Sequence, residues 1–246
     1  MKKILIICPY PIDKAPSQRL KYEQYFDYLS NNGYKLEVIP FFNLNTYKIL
    51  YSKGNFFKKV LGVCEGIFKR IFNLYKVYNS DGLYIHLNVV PYGPALVEWF
   101  YIKLAKKIIY DIDDMVFLLR TSSNNSVFHG LKSKKRYFFL LKNANHCITC
   151  TPELDKIAKK YNTNTTDISS TINTDTYIPK NKYTNKNEIV IGWTGSHSTI
   201  PYLHLLDDVI KKLSKTYNLK LLVMGADDFE INGVNIESIK WSSEIE

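Results

Sequence analysis

Short apolar runs bounded by turn residues alternate with segments of helical periodicity along nearly the whole chain, and this alternation constrains the fold more than any other feature. Strand-like runs fall at 3–7, 35–41, 83–87, 108–110 and 146–149, then at 189–193, 219–224 and 234–239. Between them, Tyr22, Tyr25, Phe26 and Leu29 keep i, i+3, i+4, i+7 spacing, and helical patterns cover 93–107, 132–143, 152–160 and 201–215. Strand, helix, strand in regular succession predicts an α/β protein built on parallel sheets with crossover helices. One stretch breaks the rhythm. Residues 179–187 are polar, basic and without an apolar period, which reads as a linker between a domain at 1–178 and a second unit at 188–246.

Composition narrows the setting. At 246 residues and 46% apolar content the chain can bury substantial cores. It has no uninterrupted apolar span of about 20 residues, and its apolar N-terminal run, Ile4 to Ile7, is too short for a signal-peptide core. A cytoplasmic location follows as the expectation. The net charge of +10 suits anionic partners. A nucleic-acid binder has only this charge in its favour, and since no nucleic-acid motif is present no nucleic-acid partner is expected. Cys8, Cys64, Cys147 and Cys150 form no disulfide framework, and the CxxC at 147–150 lies in a strand-like run, so it reads as two buried thiols.

Four segments can carry chemistry. Tyr110-Asp111-Ile112-Asp113-Asp114 sets three carboxylates at the end of a central strand, where open α/β sheets bind ligands. Like charges this close raise one another's pKa, so the group can supply a base or hold a cation; an acidic helix start is the competing reading. The loop after the first strand ends in Ala15-Pro16-Ser17-Gln18-Arg19, a small-residue helix start able to meet a phosphate, or simply a capped helix with a solvated arginine. It lacks GxGxxG, which disfavours a dehydrogenase-type dinucleotide site.

The third segment is the stretch 56–78, with an apolar stripe from Phe57 to Tyr78 and Lys58, Lys59, Lys69, Arg70 and Lys76 mostly opposite. It suits an anionic membrane surface, or a helix packed on the sheet with its charges in water; a crossover helix has to bury its apolar face, which argues for the second. The fourth is Ile191-Gly192-Trp193-Thr194-Gly195-Ser196-His197, a strand and small-residue turn leading into a helix capped by Ser198 or Thr199, with Pro201 in its first turn. The five histidines show no metal spacing, and GxSxG is absent.

Taken in order, the Ala-Pro-Ser-Gln-Arg loop, the 110–114 segment, Ser170-Thr171-Ile172-Asn173-Thr174-Asp175 and the 191–203 segment resemble the retaining glycosyltransferases of GT-B architecture, the family-four type of bacterial polysaccharide biosynthesis. The resemblance implies an N-terminal Rossmann-like acceptor domain followed by a Rossmann-like donor domain. It implies transfer of a hexose-type residue from a nucleotide-sugar to a glycan or lipid-linked acceptor. Asp113 and Asp114 would act at the reacting carbon, Gly195, Ser196 and His197 would meet the donor, and Ser17, Gln18 and Arg19 would form an acceptor or phosphate loop. No metal or resident cofactor is implied, the nucleotide-sugar being a substrate. Peripheral attachment to the inner face of an anionic membrane is a further expectation.

Two departures stand out. Relatives often carry Arg-Glu where this chain has Leu87-Asn88, and the family's donor domain normally continues well past Trp241. The resemblance therefore implies only the first part of a donor domain, a chain that alone binds nucleotide-sugar weakly and transfers nothing detectable, and the missing half-domain as a possible separate partner. A non-catalytic remnant or partner-binding module is the alternative function.

Overall fold

The computed structural model divides into two compact units, Met1–Tyr177 and Ile178–Glu246. It describes all residues except 51, 53, 119–132, 180–186, 196–198, 227–228 and 241–246.

The first unit is built on strands β1 (Lys2–Cys8), β2 (Tyr34–Pro40), β3 (Gly82–His86), β4 (Ile108–Asp111), β5 (His146–Thr149) and β6 (Thr165–Asp167). They lie in the order β2-β1-β3-β4-β5-β6, and every neighbouring pair is parallel. The helices are α1 (Pro16–Lys21), α2 (Phe26–Asn31), α3 (Leu44–Leu50), α4 (Phe56–Phe72), α5 (Leu74–Tyr78), α6 (Leu96–Leu104), α7 (Lys134–Asn143) and α8 (Pro152–Ala158). The central strands are apolar on both faces because both are covered. Leu5, Ile7, Leu83, Ile85, Ile108 and Tyr110 share a core with Phe41, Leu50, Val77, Tyr101 and Leu141. On the other face Ile6 and Cys8 pack with Leu36, Val38 and Tyr84 beneath Tyr22 and Phe26 of the α1–α2 region. β6 overlaps the polar Asn/Thr run of Asn162 to Thr166; a short strand at a sheet edge needs little apolar surface.

The long stretch 56–78 packs opposite to expectation. Its inward face is Lys59, Gly62, Gly66, Arg70, Asn73 and Val77, and its aromatic stripe points outward. Two glycines explain the close packing. A Cβ on Gly62 would stand 2.4 Å from Thr46, and one on Gly66 would stand 2.6 Å from the Phe41 ring. The fully buried Arg70 guanidinium donates to the carbonyls of Cys8 (2.8 Å), Ile39 (2.6 Å) and Val89 (2.7 Å), tying together β1, β2 and the loop after β3. Lys59 is also buried and donates to Ser52 O at 2.7 Å. These two residues are internal ties and do not belong to a solvated basic face.

The second unit holds β7 (Ile189–Thr194), α9 (Ile200–Leu203), α10 (Asp207–Thr216), β8 (Leu219–Met224) and β9 (Asn235–Ile239). Its sheet order is β7-β8-β9, all parallel, over a core of Leu203, Ile210, Leu219, Leu221, Val223 and Phe229. The helix expected to run unbroken from 201 is interrupted by a 3-10 turn at His204–Leu206. Among the described residues no helix is long and apolar enough to cross a membrane.

Candidate active site

In the first unit the sheet reverses its direction of growth at β1, between β2 and β3, and crevices at such switch points, beyond the strands' carboxyl ends, are where open α/β sheets bind ligands. β3 ends at His86 and β4 at Asp111, and strand register sets these two residues side by side. Nδ1 of His86 lies 2.6 Å from Oδ2 of Asp111, and both side chains are fully buried. From α1, the nearly buried Lys21 brings its ammonium to 2.8 Å from Oδ1 of the same carboxylate. Burial pushes the Asp111 carboxyl up, but contacts with His86 and Lys21 outweigh it and hold the pKa below the ordinary value. The rings of Tyr22 and Tyr84 wall the cluster, Tyr22 meeting His86 edge-on at 5.4 Å. Nε2 of His86 is buried without a hydrogen-bond partner among the described residues.

The three carboxylates of 111–114 therefore separate. Asp111 turns inward as an ion-pair anchor, Asp113 is half-buried and Asp114 is exposed. Burial pushes the Asp113 carboxyl above its ordinary value, with His86 opposing the shift and Asp111 reinforcing it. Its backbone carbonyl accepts a hydrogen bond from Cys150 Sγ, which fixes the segment against the end of β5. Cys150 is thus only half-buried, while Cys147 is fully buried and its thiol is pushed up to about 12. Leu87, between the two strand ends in space, takes a left-handed backbone (φ 64°) that costs a side-chain-bearing residue roughly 1–2 kcal/mol. Leu87 N donates to Asp111 O at 2.9 Å and the Tyr110 hydroxyl donates to Leu87 O at 2.9 Å, which hold it there.

The loop after β1 is organised by Gln18, which is completely buried. Its amide accepts from Tyr10 N and donates to Tyr10 O, each at 3.0 Å, and donates to Glu23 Oε1 at 3.0 Å. Glu23 in turn accepts from Asp13 N at 2.9 Å. Gln18 is thus an internal strut, with its polar atoms engaged by the protein. Ser17 and Arg19 are half-buried at the start of the short α1, and Arg19 reaches toward Asp13 O at 3.4 Å. The 170–175 segment returns to this region, where Thr171 meets Gln24 and Tyr25.

In the second unit, Gly195 ends β7 with its N–H donating to Met224 O at 3.1 Å. A Cβ there would stand 2.5 Å from the Trp193 indole and 2.6 Å from Thr199 Oγ1, so this turn excludes any side chain. Ser196 and His197 lie outside the described residues, as does Ser198. Thr199 occupies the N-cap of α9, a helix of only four residues, and makes no side-chain cap hydrogen bond.

Sequence reading missed Lys21 and His86. They lie far apart along the chain from Asp111, and only the β3–β4 register and the α1 crossover unite them; the detectable signal was a histidine and an aspartate, each ending an apolar run.

No protein-family model matches the chain, and no curated protein does. Among solved structures, it is similar to sucrose-phosphate synthase from Thermosynechococcus elongatus, with a TM-score of 0.53 at 11% identity, covering 93% of this chain and 63% of that one. The chain thus spans less than two thirds of that protein's length. A structure described as the glycotransferase of kitacinnamycin matches with a TM-score of 0.49 at 12% identity, covering 99% of this chain and 72% of that one. The likeness to the synthase is one of fold alone, a Rossmann-like α/β architecture.

Proposed function

We propose that this chain serves glycosyl transfer from a nucleotide-sugar to a glycan or lipid-linked acceptor, with retention at the anomeric carbon. The observation that carries the reading is the crowding of Lys21, His86, Asp111 and Asp113 at the carboxyl ends of β3 and β4, next to the switch point of a sheet, in a chain similar in fold to a sucrose-phosphate synthase. In the reaction the acceptor oxygen bonds to the anomeric carbon as the bond to the nucleoside diphosphate breaks. Asp113, whose burial makes it a better base than an ordinary aspartate, orients the acceptor hydroxyl and takes its proton; Asp114 supplies a second acceptor contact. Asp111 and Lys21 hold His86 in place. Gly195, Ser196 and His197, which follow β7, are the donor-side contacts of this reading, the Gly195 N–H itself being engaged by Met224 O. Ser17 and Arg19 offer acceptor or phosphate contacts, with Gln18 shaping their loop. No resident cofactor or metal enters this scheme.

A calorimetric screen of nucleotide-sugars against the chain tests the reading. Saturable binding of one base and sugar combination is expected, weakened by Gly195→Val. Failure of the entire panel would overturn it and favour the non-catalytic, partner-binding alternative.

A further inference from the structure

The helices that cover the main core of the first unit pack Val63, Ile67, Leu74, Val97 and Ile102 on it and still turn a strip of larger apolar side chains outward. α4 and α5 bury glycines, an arginine and a lysine, and turn outward Phe57 (82% exposed), Leu61 (68%), Phe68 (60%), Phe72 (73%), Tyr75 (63%) and Tyr78 (64%). α6 repeats the pattern. It buries Glu98 and Tyr101 while leaving Leu96, Trp99 and Phe100 exposed, and the Tyr101 hydroxyl donates to Arg70 O at 2.9 Å, which sets α6 alongside the end of α4. Single exposed apolar residues are ordinary, but a contiguous aromatic strip over consecutive helices marks a surface that meets something.

Charge points to the occupant. The outward ionic groups of α4 and α6 are Lys58, Lys69 and Lys103 against the single acid Glu65, whose carboxylate accepts from the Asn43 amide at 2.7 Å, while Lys76 of α5 is paired with Glu37 of β2 at 2.7 Å. Glu98, the other acid on these helices, is buried near Arg136. Lys106 and Lys107 follow shortly after α6 and are exposed, Lys106 lying 3.6 Å from the Asp81 carboxylate and Lys107 adding a further cation. Phenylalanine, tryptophan and tyrosine rings ringed by lysines, on helices lying flat against a sheet, match the boundary between the headgroups and acyl chains of an anionic bilayer. We propose that this α4–α6 surface docks the first unit on a membrane rich in anionic phospholipid, with the rings entering the interface and the lysines meeting the headgroups. The proposal stands apart from the transfer reaction, and either can fail alone.

The test is co-sedimentation of the full 246-residue chain with vesicles of phosphatidylcholine alone and of phosphatidylcholine with one third phosphatidylglycerol. Binding is expected on the anionic vesicles and should weaken steadily with added salt, because lysine attraction to the surface is screened. Phe68→Ser, Phe72→Ser and Tyr75→Ser together should lower partitioning at least tenfold while far-UV circular dichroism stays unchanged. Lys58→Gln with Lys103→Gln should lower it several-fold and flatten the salt dependence. Equal partitioning of native chain and aromatic variant would overturn the proposal. So would a native chain that ignores vesicles and sediments as a dimer, which the aromatic variant converts to monomer.

Discussion

The imidazole of His86 and the carboxylate of Asp111 meet at 2.6 Å at the ends of adjacent parallel strands, with the ammonium of Lys21 on the carboxylate's other oxygen. A buried charge cluster of this kind is costly to break, because each partner removed leaves another uncompensated in a low dielectric.

Asp111→Asn should therefore destabilise the first unit by about 3–5 kcal/mol at neutral pH. The pH dependence has a definite sign. The folded pKa of Asp111 is below its unfolded value near 3.8, so the stability it contributes is fully present above pH 3.8 and is lost as pH falls through the lower folded value. Urea denaturation as a function of pH should show that acid limb in the native chain, and a shallower one in the variant.

Gln18→Ala removes the amide partner of Tyr10 N, one of the two donors to Tyr10 O (Cys8 Sγ stays, at 3.4 Å) and a donor from Glu23. The expected loss is roughly 1–3 kcal/mol, the cost of unsatisfied buried groups. Hydrogen exchange should report faster opening of residues 9–15 while β4 and β5 stay protected. Unchanged exchange in that loop would remove Gln18 from its organising role.

Gly66→Ala sets two effects against each other. Alanine gains about 1 kcal/mol of helix propensity over glycine. Its Cβ also arrives 2.6 Å from the Phe41 ring, and overpacking a dense core costs typically about 1–3 kcal/mol. Phe41 is buried, so the ring has little room to yield and the packing term should win. A lower melting temperature for the variant is expected; a higher one would mean that α4 sits less tightly than described.

These cases show where the sequence was legible. Strands such as β1 and β8 were plain because runs like Leu5-Ile6-Ile7 and Leu221-Leu222-Val223 have no other stable placement in an α/β chain. The face of α4 was not, because apolar periodicity marks a stripe without saying what covers it. Here the buried side is chosen by the absence of side chains at Gly62 and Gly66 and by the carbonyls awaiting Arg70. Asp111 could not be distinguished from Asp113 by position alone, since which carboxylate turns inward depends on His86 and Lys21 arriving from β3 and α1. Gln18 looked like part of a phosphate loop because struts and ligand contacts use the same residue types.

The most direct measurement is transfer of labelled sugar from the nucleotide-sugar that binds to a lipid-linked or glycan acceptor, followed against pH for the native chain and for Asp113→Asn with Asp114→Asn. If Asp113 takes the acceptor proton, the rate should rise as pH passes its raised pKa, so the acid limb should stand above the ordinary aspartate value of 3.8. The double variant should fold normally and lose roughly 10²-fold or more in rate, the usual contribution of a positioned base. Transfer by the double variant at the native rate would contradict the account of the site.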